Sequence, residues 1–493
     1  MRKSSRSGKK SGAEVSASHV RLIFALVIIA VFLDVIDFSV VNVAVPSIRA
    51  QFHSSLADVQ WVIGAYGITM AGFLLLSGRA GDIYGQKRLF ISGVLLFVVS
   101  SLAAALAPSL IGLIVFRGIQ GIGAAISSVT AFAIFMALFP EGRERNRALG
   151  VFIAVLSGGF AAGAVAGGAL TTLFGWRSVL LINVPIGLFA ATLIQRFMPS
   201  LPGRSDAKHL DLPGALAVTL GLMLLVYALT VASSDGISSL QTLVPLGLAV
   251  LMLASFVAIE SRSHAPLMPL SFLRRGVVLK ANVIAIIVAS IVGGTGFLVT
   301  IYMQQALGYS PFYAGLGFLP PAMIFLVIGG WGTSWFTDHL GLRKTLLLST
   351  ALIVAGSAIL TQLSPKWGYI GMLPGILIWA LGAAMGFPAF NLAAIAGAKR
   401  GEEGLASGLI NTSQRLGFPL GLAVFVAIAS AVDPTISAVS NSASAIAGFD
   451  YAFLAAAILG MLAFAISMRI KMEGPLKKDL EGMGSEVAET GFL

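Results

Sequence analysis

The chain has 493 residues, of which 57% are hydrophobic and 11% are charged, and its mean hydropathy is +0.93. An average soluble domain carries roughly 25% charged residues, so a chain this apolar cannot bury its side chains in a soluble fold. The net charge of +11 does not indicate a nucleic-acid-binding protein, because the basic residues are spread over several segments and form no single face. The lack of cysteine excludes disulfides, thiolate metal sites and thiol nucleophiles.

Fourteen apolar runs dominate the sequence, and each is long enough to cross about 30 Å of hydrocarbon as a helix of about 20 residues. They cover residues 22–46, 58–78, 89–107, 109–138, 148–173, 178–198, 212–232, 241–260, 278–302, 312–336, 345–363, 368–396, 404–432 and 448–468. The runs are continuous, whereas the strands of a membrane barrel alternate polar and apolar residues. The first run is too long for a signal peptide and contains two aspartates, so we expect it to be retained.

The basic residues indicate the orientation of these helices, because Lys and Arg in short loops stay on the cytoplasmic side of a membrane. With a cytoplasmic N-terminus, Arg49, Arg177 and Lys366 fall on the outer side, and Arg117 and Arg415 fall within runs. The other basic residues lie in inner segments. The sequence therefore predicts a multi-pass protein of a plasma membrane, the inner membrane of a bacterium, with both termini in the cytoplasm.

The runs divide the chain into an all-α, polytopic arrangement of two six-helix bundles with two extra central helices. The predicted parts are a basic cytoplasmic tail (1–20), a six-helix bundle (21–198), a linker (199–211), a helix pair (212–260), a second linker (261–277), a second six-helix bundle (278–470) and a cytoplasmic tail (471–493). The N-terminal tail is rich in Ser, Gly and Lys. It either binds anionic lipid headgroups or is simply solvated.

Asp34 and Asp37, in the first run, are the only acidic residues that the sequence places well inside any predicted helix. At about 1.5 Å per residue they lie roughly 18 and 22 Å along this helix, near the middle of a bilayer and on one face. A charged carboxylate there costs about 3 kcal/mol unless it is paired or hydrated. We therefore expect both to face a cavity and to exchange protons, with Asp37 as the leading candidate. The alternative is a structural polar contact between helices.

Arg117, in the fourth run, is the predicted partner of these carboxylates. A guanidinium beside a carboxylate favours its ionised form, so bringing the two groups together or apart would release or capture a proton. The alternatives are a fixed ion pair and an Arg whose side chain reaches the membrane surface.

The loop after the second run contains an acid, a glycine and two bases at a spacing that returns in the second block. Residues Asp82 to Arg88 and Asp338 to Lys344 share the order acid, two residues, Gly, one residue and two bases. Duplicated halves are typical of alternating-access transporters, which bind substrate between the halves near the membrane midplane. The first loop is a candidate conformational latch or a plain turn with topology-setting bases, and its candidate residues are Gly78, Asp82, Gly85, Lys87 and Arg88.

The fifth run carries glycines at a period of four, Gly159, Gly163 and Gly167, followed by Gly168. Small residues at this spacing form a groove into which another helix can pack closely. The groove predicts either a moving interface or a static packing contact.

Scattered polar residues in the runs are candidates for lining a substrate cavity: Asn42, Gln120, Gln304, Gln305, Asn391, Asn411, Gln414 and Arg415. The sequence has no phosphate-binding Gly-x-x-x-x-Gly-Lys-Ser/Thr loop, so ATP is not the expected energy source. The His residues are not clustered, and we expect neither a metal site nor a cofactor.

Several of these segments resemble motifs of the major facilitator superfamily, specifically its fourteen-helix drug:proton antiporter branch. The stretch Asp37 to Pro46, which contains Asn42, resembles the Leu-Asp-x-Thr-Val-Val-Asn-Val-Ala-Leu-Pro signature of that branch. Gly78 to Arg88 resembles its motif A latch, although Ile83 and Gln86 replace usual bases. Arg117 to Gly123 resembles motif B of the superfamily. Gly159 to Gly168 resembles the antiporter motif C, with Ala164 in place of a usual Pro. Two further segments are similar to this branch, Gly175 to Gly187 and Tyr302 to Pro311.

The resemblance implies the major facilitator fold and a proton-transfer role for Arg117. It also implies that the protein exports small molecules with the energy of a proton gradient and is not an enzyme. Because the second half has no embedded acid, we expect lipophilic substrates that are monovalent cations or neutral molecules. We expect the protein to be a monomer whose partners are the lipid bilayer, protons and the lipophilic substrate. We do not expect it to bind nucleic acid. The alternatives are a dedicated exporter of one endogenous metabolite or lipid, and a membrane receptor that transports nothing.

Overall fold

The computed structural model describes residues 17–139, 143–199, 211–236, 238–263, 272, 276–398, 402–432 and 446–470, and these residues are almost entirely helical. Most of the two predicted tails and the two predicted linkers lies outside the described residues. The helices of the first half and the central pair are α1 (Ala17–Phe52), α2 (Leu56–Val59), α3 (Trp61–Tyr84), α4 (Gln86–Ala105), α5 (Leu110–Leu138), α6 (Arg143–Phe174), α7 (Arg177–Leu181), α8 (Asn183–Phe197), α9 (Leu212–Asp235) and α10 (Leu240–Arg262).

The second half begins with a helix that ends in a π-helical turn. Its elements are α11 (Gly276–Ile301) with the turn Tyr302–Ala306, α12 (Pro311–Gly317), α13 (Leu319–Val327) with the turn Ile328–Gly332, α14 (Thr333–Leu340), α15 (Leu342–Leu360), the 3₁₀ turn Pro365–Trp367, α16 (Gly368–Ala396), α17 (Glu403–Val432) and α18 (Ile446–Met468).

Twelve helices in the described part of the chain are long and apolar enough to cross a membrane, and two shorter apolar segments, Gly158–Phe174 and Pro311–Val327, account for the remaining predicted runs. The prediction of an all-helical polytopic protein is confirmed. The run 312–336 differs from expectation because it is broken into α12, α13 and α14. Prolines lie in the first turn of α12 and of α13, and the turn Ile328–Gly332 contains three glycines, which weaken a regular helix.

The two halves repeat the same turn between their second and third spans. Gly85 (φ 93°) joins α3 to α4, and Gly341 (φ 80°) joins α14 to α15, so both positions use backbone angles that only glycine adopts easily. Two residues after each glycine, a basic side chain reaches the end of the last helix of its own half. Lys87 donates to the carbonyl of Met198, and Arg343 donates to the carbonyl of Met468 at 3.1 Å.

Each half also packs its first helix into a glycine groove. In the first half, a Cβ at Gly163 in α6 would lie 2.9 Å from the Cβ of Ser39 and 3.1 Å from the backbone of Ile36 in α1. In the second half, a Cβ at Gly417 in α17 would lie 2.6 Å from the Cβ of Ala289 and 2.5 Å from the carbonyl of Ile286 in α11. The duplication seen in the loops therefore extends into the helix packing.

The central pair α9 and α10 lies against both halves through α9, which contacts α3 and α17. Gln60 donates to the Thr230 hydroxyl at 3.2 Å, and a Cβ at Gly72 of α3 would lie 1.9 Å from the hydroxyl oxygen of Thr219. The added helices cover one seam between the bundles.

The two halves contact each other near the C-terminal ends of α1 and α6. Gln304 donates to the carbonyl of Val43 at 2.9 Å, and a Cβ at Gly168 would lie 2.5 Å from the carbonyl of Pro311. A Cβ at Gly315 would lie 2.3 Å from the carbonyl of Ala164. By the predicted topology this is the outer end of the helices, so the halves are tightly joined on that side.

Candidate functional site

Asp37 lies at the centre of a polar cluster inside the first half. Its Oδ2 is 2.5 Å from Nη1 of Arg117, and its Oδ1 accepts hydrogen bonds from Gln120 at 3.0 Å and from Asn183 at 2.7 Å. Asn183 also donates to the hydroxyl of Ser101 at 3.1 Å. Helices α1, α4, α5 and α8 each supply a member, so four elements fix the position of this carboxylate.

Arg117 is held on several sides and has no exposed surface. Its Nε donates to the carbonyl of Val62 at 3.0 Å, and its Nη1 also donates to Gln120 at 2.8 Å. The guanidinium carbon lies 4.3 Å from the ring centroid of Tyr66, which places the cation over the face of an aromatic ring. A buried ion pair with this many supporting contacts is rigid, and removing one member would leave the other uncompensated.

Asp34 forms a second and different site on the same face of α1. Its Oδ1 accepts a hydrogen bond from the hydroxyl of Tyr66, and its Oδ2 accepts one from Ser128 at 2.9 Å. Its cationic neighbour is Arg415 of α17, whose Nη2 lies 3.8 Å from Oδ2. This ion pair joins the two halves, whereas the Asp37–Arg117 pair lies within one half.

Tyr66 connects the two carboxylate sites. Its hydroxyl binds Asp34, and its ring covers Arg117, the partner of Asp37. One side chain therefore contacts a member of each site.

The two aspartates differ in their access to the surroundings. Asp37 has no exposed surface in this conformation, which is contrary to the expectation that it faces a cavity, because Arg117, Gln120 and Asn183 enclose it. Asp34 is 4% exposed and borders a cavity of about 10 Å³, room for roughly one water molecule. Its partner Arg415 has 37% of its side chain exposed. A cavity of about 240 Å³ lies beside Trp367, and none of these charged groups lines it.

A run of half-buried aromatic rings begins next to the Asp34–Arg415 pair and continues into the second half. Phe38 follows Asp34 by about one turn, and its ring centroid is 5.7 Å from that of Phe418, which follows Arg415 by about one turn. Phe418 stacks on Phe387 at 6.2 Å, and Phe387 is 6.5 Å from Phe325. This aromatic run places an apolar surface beside a pair of charges.

The candidate latch residues make contacts within the first half. Asp82 is exposed and accepts a hydrogen bond from Gln86 at 3.2 Å, and Lys87 donates to the carbonyl of Gln195 at 2.9 Å as well as to that of Met198. Lys87 therefore caps the last turn of α8, where a cation is favoured by the helix dipole. Gly78 and Arg88 complete this segment, and its latch role stays a prediction.

The glycines of the fifth run face two different helices. Gly159, Gly163 and Gly167 lie against α1, where a Cβ at Gly167 would be 2.7 Å from the Cα of Val40. Gly168 faces the backbone of Pro311 in the second half instead. This helix therefore touches both the charged helix and the opposite bundle.

The remaining polar candidates do not converge on one site. Gln120 belongs to the Asp37 cluster, and Gln304 bridges the halves. Asn391 and Asn411 donate to carbonyls of their own helices, at 2.9 and 2.8 Å. Nε2 of Gln414 and Oδ1 of Asn42 are buried without a hydrogen-bond partner among the described residues, and Gln305 is half-buried.

Four residues of the site were missed from the sequence: Tyr66, Ser101, Ser128 and Asn183. Asn183 lies in a segment that resembles the antiporter branch, and this was the available signal for it. Tyr66 and the two serines carry no local signal, because isolated hydroxyl residues are common in membrane helices. Within the described residues, no group of three or more His, Asp or Glu side chains could hold a metal ion.

A helical membrane protein built from two duplicated bundles, with paired charges buried between its helices, has the architecture of a transporter. The sequence profile of the Major Facilitator Superfamily matches residues 27–422, most of the chain. The chain belongs to this superfamily.

Several proteins to which the chain is similar are resistance and export proteins, in agreement with the drug:proton antiporter branch. The chain is 35% identical to the cephamycin export protein of Amycolatopsis lactamdurans over 94% of each chain. It is 36% identical to a puromycin resistance protein of Streptomyces alboniger over 81% of this chain and 80% of that protein. It is 31% identical to a lincomycin resistance protein of Streptomyces lincolnensis over 86% of this chain and 88% of that protein.

Proposed function

We propose that the protein is a proton-coupled antiporter that exports lipophilic small molecules, either monovalent cations or neutral compounds, by alternating access. It would act as a monomer in a plasma membrane, the inner membrane of a bacterium, with both termini cytoplasmic. It would use the proton gradient and no cofactor, and it would carry out no covalent chemistry. The names of the similar proteins support export, and the charged groups of α1 support proton coupling.

One observation carries this proposal: two carboxylates on one face of α1 are each paired with a different guanidinium. Arg117 holds Asp37 inside the first half, and Arg415 approaches Asp34 from the second half. Protonation of Asp34 would cancel its attraction to Arg415 and weaken a contact between the halves. Protonation of Asp37 would in the same way release Arg117.

The other predicted elements have supporting roles in this proposal. We assign the conformational latch to the segment that contains Gly78, Asp82, Gly85, Lys87 and Arg88. We assign the packing interface that changes during alternation to Gly159, Gly163, Gly167 and Gly168, because α6 lies against both α1 and the second half.

The test is export of a fluorescent lipophilic cation from proteoliposomes that carry an imposed pH gradient. We expect Asp37→Asn and Asp34→Asn each to abolish most of the gradient-driven flux, and Asp37→Asn to have the larger effect. Lys366→Gln, a change at the predicted outer surface, is the matched control and should retain the flux. If Asp37→Asn exports at the full wild-type rate, the proposed proton role of this residue is wrong.

A dedicated exporter of one endogenous metabolite is the second candidate. It is favoured by the similarity to a protein named for cephamycin export, which extends over 94% of both chains. A transport panel of unrelated lipophilic compounds distinguishes the two. Export of a single chemical class would support the dedicated exporter, and export of several classes would support broad specificity.

A further inference from the structure

We propose that Arg415 is a tethered competitor for cationic substrates. In the conformation described here its guanidinium takes the place beside Asp34 that the charged group of a monovalent cationic substrate occupies during export. This inference rests on the proposed function, since it names the residue that determines which substrates the same site accepts.

The polar neighbours of Asp34 lie at different distances from its carboxylate, and the guanidinium of Arg415 is the farthest of them. Tyr66 and Ser128 hold the carboxylate oxygens by direct hydrogen bonds, whereas Nη2 of Arg415 is 3.8 Å away. Among the described residues, the Arg415 guanidinium also contacts the sulfur of Met70 at 3.4 Å, and a thioether is a weak acceptor. The carboxylate is therefore fixed in place, and its cationic neighbour is free to leave.

Arg117 provides the contrast within the same molecule. It has no exposed surface, and it donates to Asp37, Gln120 and the carbonyl of Val62. Arg415 is 37% exposed, so its charge stays partly hydrated, and only its partner Asp34, at 4% exposed, is buried. A substrate can displace Arg415 at low cost, but it cannot displace Arg117.

The charge balance around Asp34 selects a cation as the occupant. The described groups that face Asp34 are Arg415 from α17, Tyr66 from α3 and Ser128 from α5, and Asp37 on the same helix is neutralised by Arg117. When Arg415 moves into water, a bound cation restores neutrality. An anion on Arg415 would instead leave Asp34 buried with hydroxyl donors alone, and this arrangement is unfavourable unless Asp34 takes up a proton.

Antiport provides a second reason to choose a cation. A cation at Asp34 and a proton on Asp34 exclude each other, because each neutralises the same carboxylate. An anion on Arg415 would favour protonation of Asp34 and would travel together with the proton. Exchange of substrate for proton therefore requires competition at Asp34.

The aromatic run defines the apolar part of the site. Phe38 and Phe418 lie one turn beyond Asp34 and Arg415, and their rings are in edge-to-face contact across the halves. A cation with aromatic substituents would place its charge at Asp34 and its rings against these side chains, where a cation–π contact adds to the attraction.

Equilibrium binding to the purified full-length protein at one pH tests this inference. The probes are tetraphenylphosphonium, a permanent cation, tetraphenylborate, an anion of nearly the same shape, and triphenylphosphine oxide, a neutral compound. We expect Arg415→Gln to lower the Kd for tetraphenylphosphonium about five- to tenfold, because the tethered competitor is gone. The Kd for the neutral probe should not change, and Arg415→Lys should stay close to wild type.

Two controls keep the outcome interpretable. Arg196→Gln removes an exposed positive charge at the end of α8 and should leave all three Kd values unchanged. In Asp34→Asn, the further change Arg415→Gln should no longer strengthen binding of the cation, because the shared carboxylate is absent. An unchanged Kd for the neutral probe shows that each variant is folded.

Three results would overturn the inference. They are weaker cation binding in Arg415→Gln, an unchanged Kd for the cation, and selective loss of tetraphenylborate binding, which would make Arg415 an anion-binding residue. Binding at a fixed pH involves no gradient. A failure of gradient-driven export would therefore contradict the proposed function while this measurement still decided the role of Arg415.

Discussion

The two halves share a helix-packing pattern, but their first helices differ in the charge they bury. Ile36, Ser39 and Val40 of α1 meet Gly163 and Gly167 in the same way that Ile286, Ala289 and Ser290 of α11 meet Gly417 and Gly421. This correspondence matches Asp34 and Asp37 with Ile284 and Ile287. The duplicated scaffold therefore carries buried acids in one copy and isoleucines in the other.

This difference shows that the fold itself does not need the acids. In the described part of the chain, a glycine groove and neutral hydrogen bonds, such as Ser413 to Asn282 at 2.7 Å and Ser290 to the carbonyl of Gly417 at 3.0 Å, pack α11 against α17 without any acid. Charges inside a membrane protein are costly, and retaining them in one half indicates a functional role there. The second half contributes Arg415, which brings its charge to the acids of the first.

The largest expected effect comes from breaking the Asp37–Arg117 pair on one side. Arg117→Leu leaves Asp37 buried without its cation, and we expect the free energy of unfolding to fall by about 3–5 kcal/mol. Thermal unfolding in detergent is the measurement. The double variant Asp37→Ile with Arg117→Leu copies the apolar second half, and we expect it to recover most of this stability while gradient-driven export stays absent. Equal instability of the single and double variants would contradict the comparison of the halves.

Alanine substitutions in the two glycine grooves test whether both halves depend on the same close helix packing. Gly421→Ala places a Cβ 1.9 Å from the carbonyl oxygen of Ser290, and Gly163→Ala places one 2.9 Å from the Cβ of Ser39. We expect both to destabilise the protein by about 1–3 kcal/mol, and Gly421→Ala to be worse because it meets rigid backbone. Gly158→Ala is the matched control on α6, since nothing lies within 4 Å of its Cβ. The midpoint of thermal unfolding should follow the order Gly158→Ala, Gly163→Ala, Gly421→Ala, from highest to lowest.

The sequence was sufficient to predict the helices and the general location of the charged site, because both follow from local properties. An apolar run of about 20 residues specifies a membrane helix, and an acid within it is visible without a structure. The break of the run 312–336 was missed, because prolines at a helix start and glycines within a membrane helix are common and do not by themselves end a span. The difference between Asp34 and Asp37 was also missed. It depends on Tyr66, Ser128 and Asn183, which come from distant parts of the chain.

Tyr66 allows the link between the two carboxylate sites to be measured separately from their charges. Tyr66→Phe removes the hydroxyl that binds Asp34 but keeps the ring over Arg117, so we expect a loss of about 1 kcal/mol in stability. Tyr66→Leu removes both contacts and should cost more. The pH at which export is half-maximal should move in Tyr66→Phe, because Asp34 loses a donor to its ionised form. An unchanged pH profile would mean that Asp34 does not exchange the transported proton.

The smallest expected effect concerns the capping contacts that both halves share. Lys87→Met removes the donor to the last turn of α8, and Arg343→Met removes the equivalent donor to the last turn of α18. Each is expected to lower the free energy of unfolding by about 0.3–1 kcal/mol, since a cation at a helix C-terminus contributes about that much. If the two contacts are purely structural, the losses should be similar and export per folded molecule should be unchanged in both. If the first loop is also a latch, Lys87→Met should slow export while Arg343→Met does not, and flux measurements normalised to the folded fraction separate these outcomes.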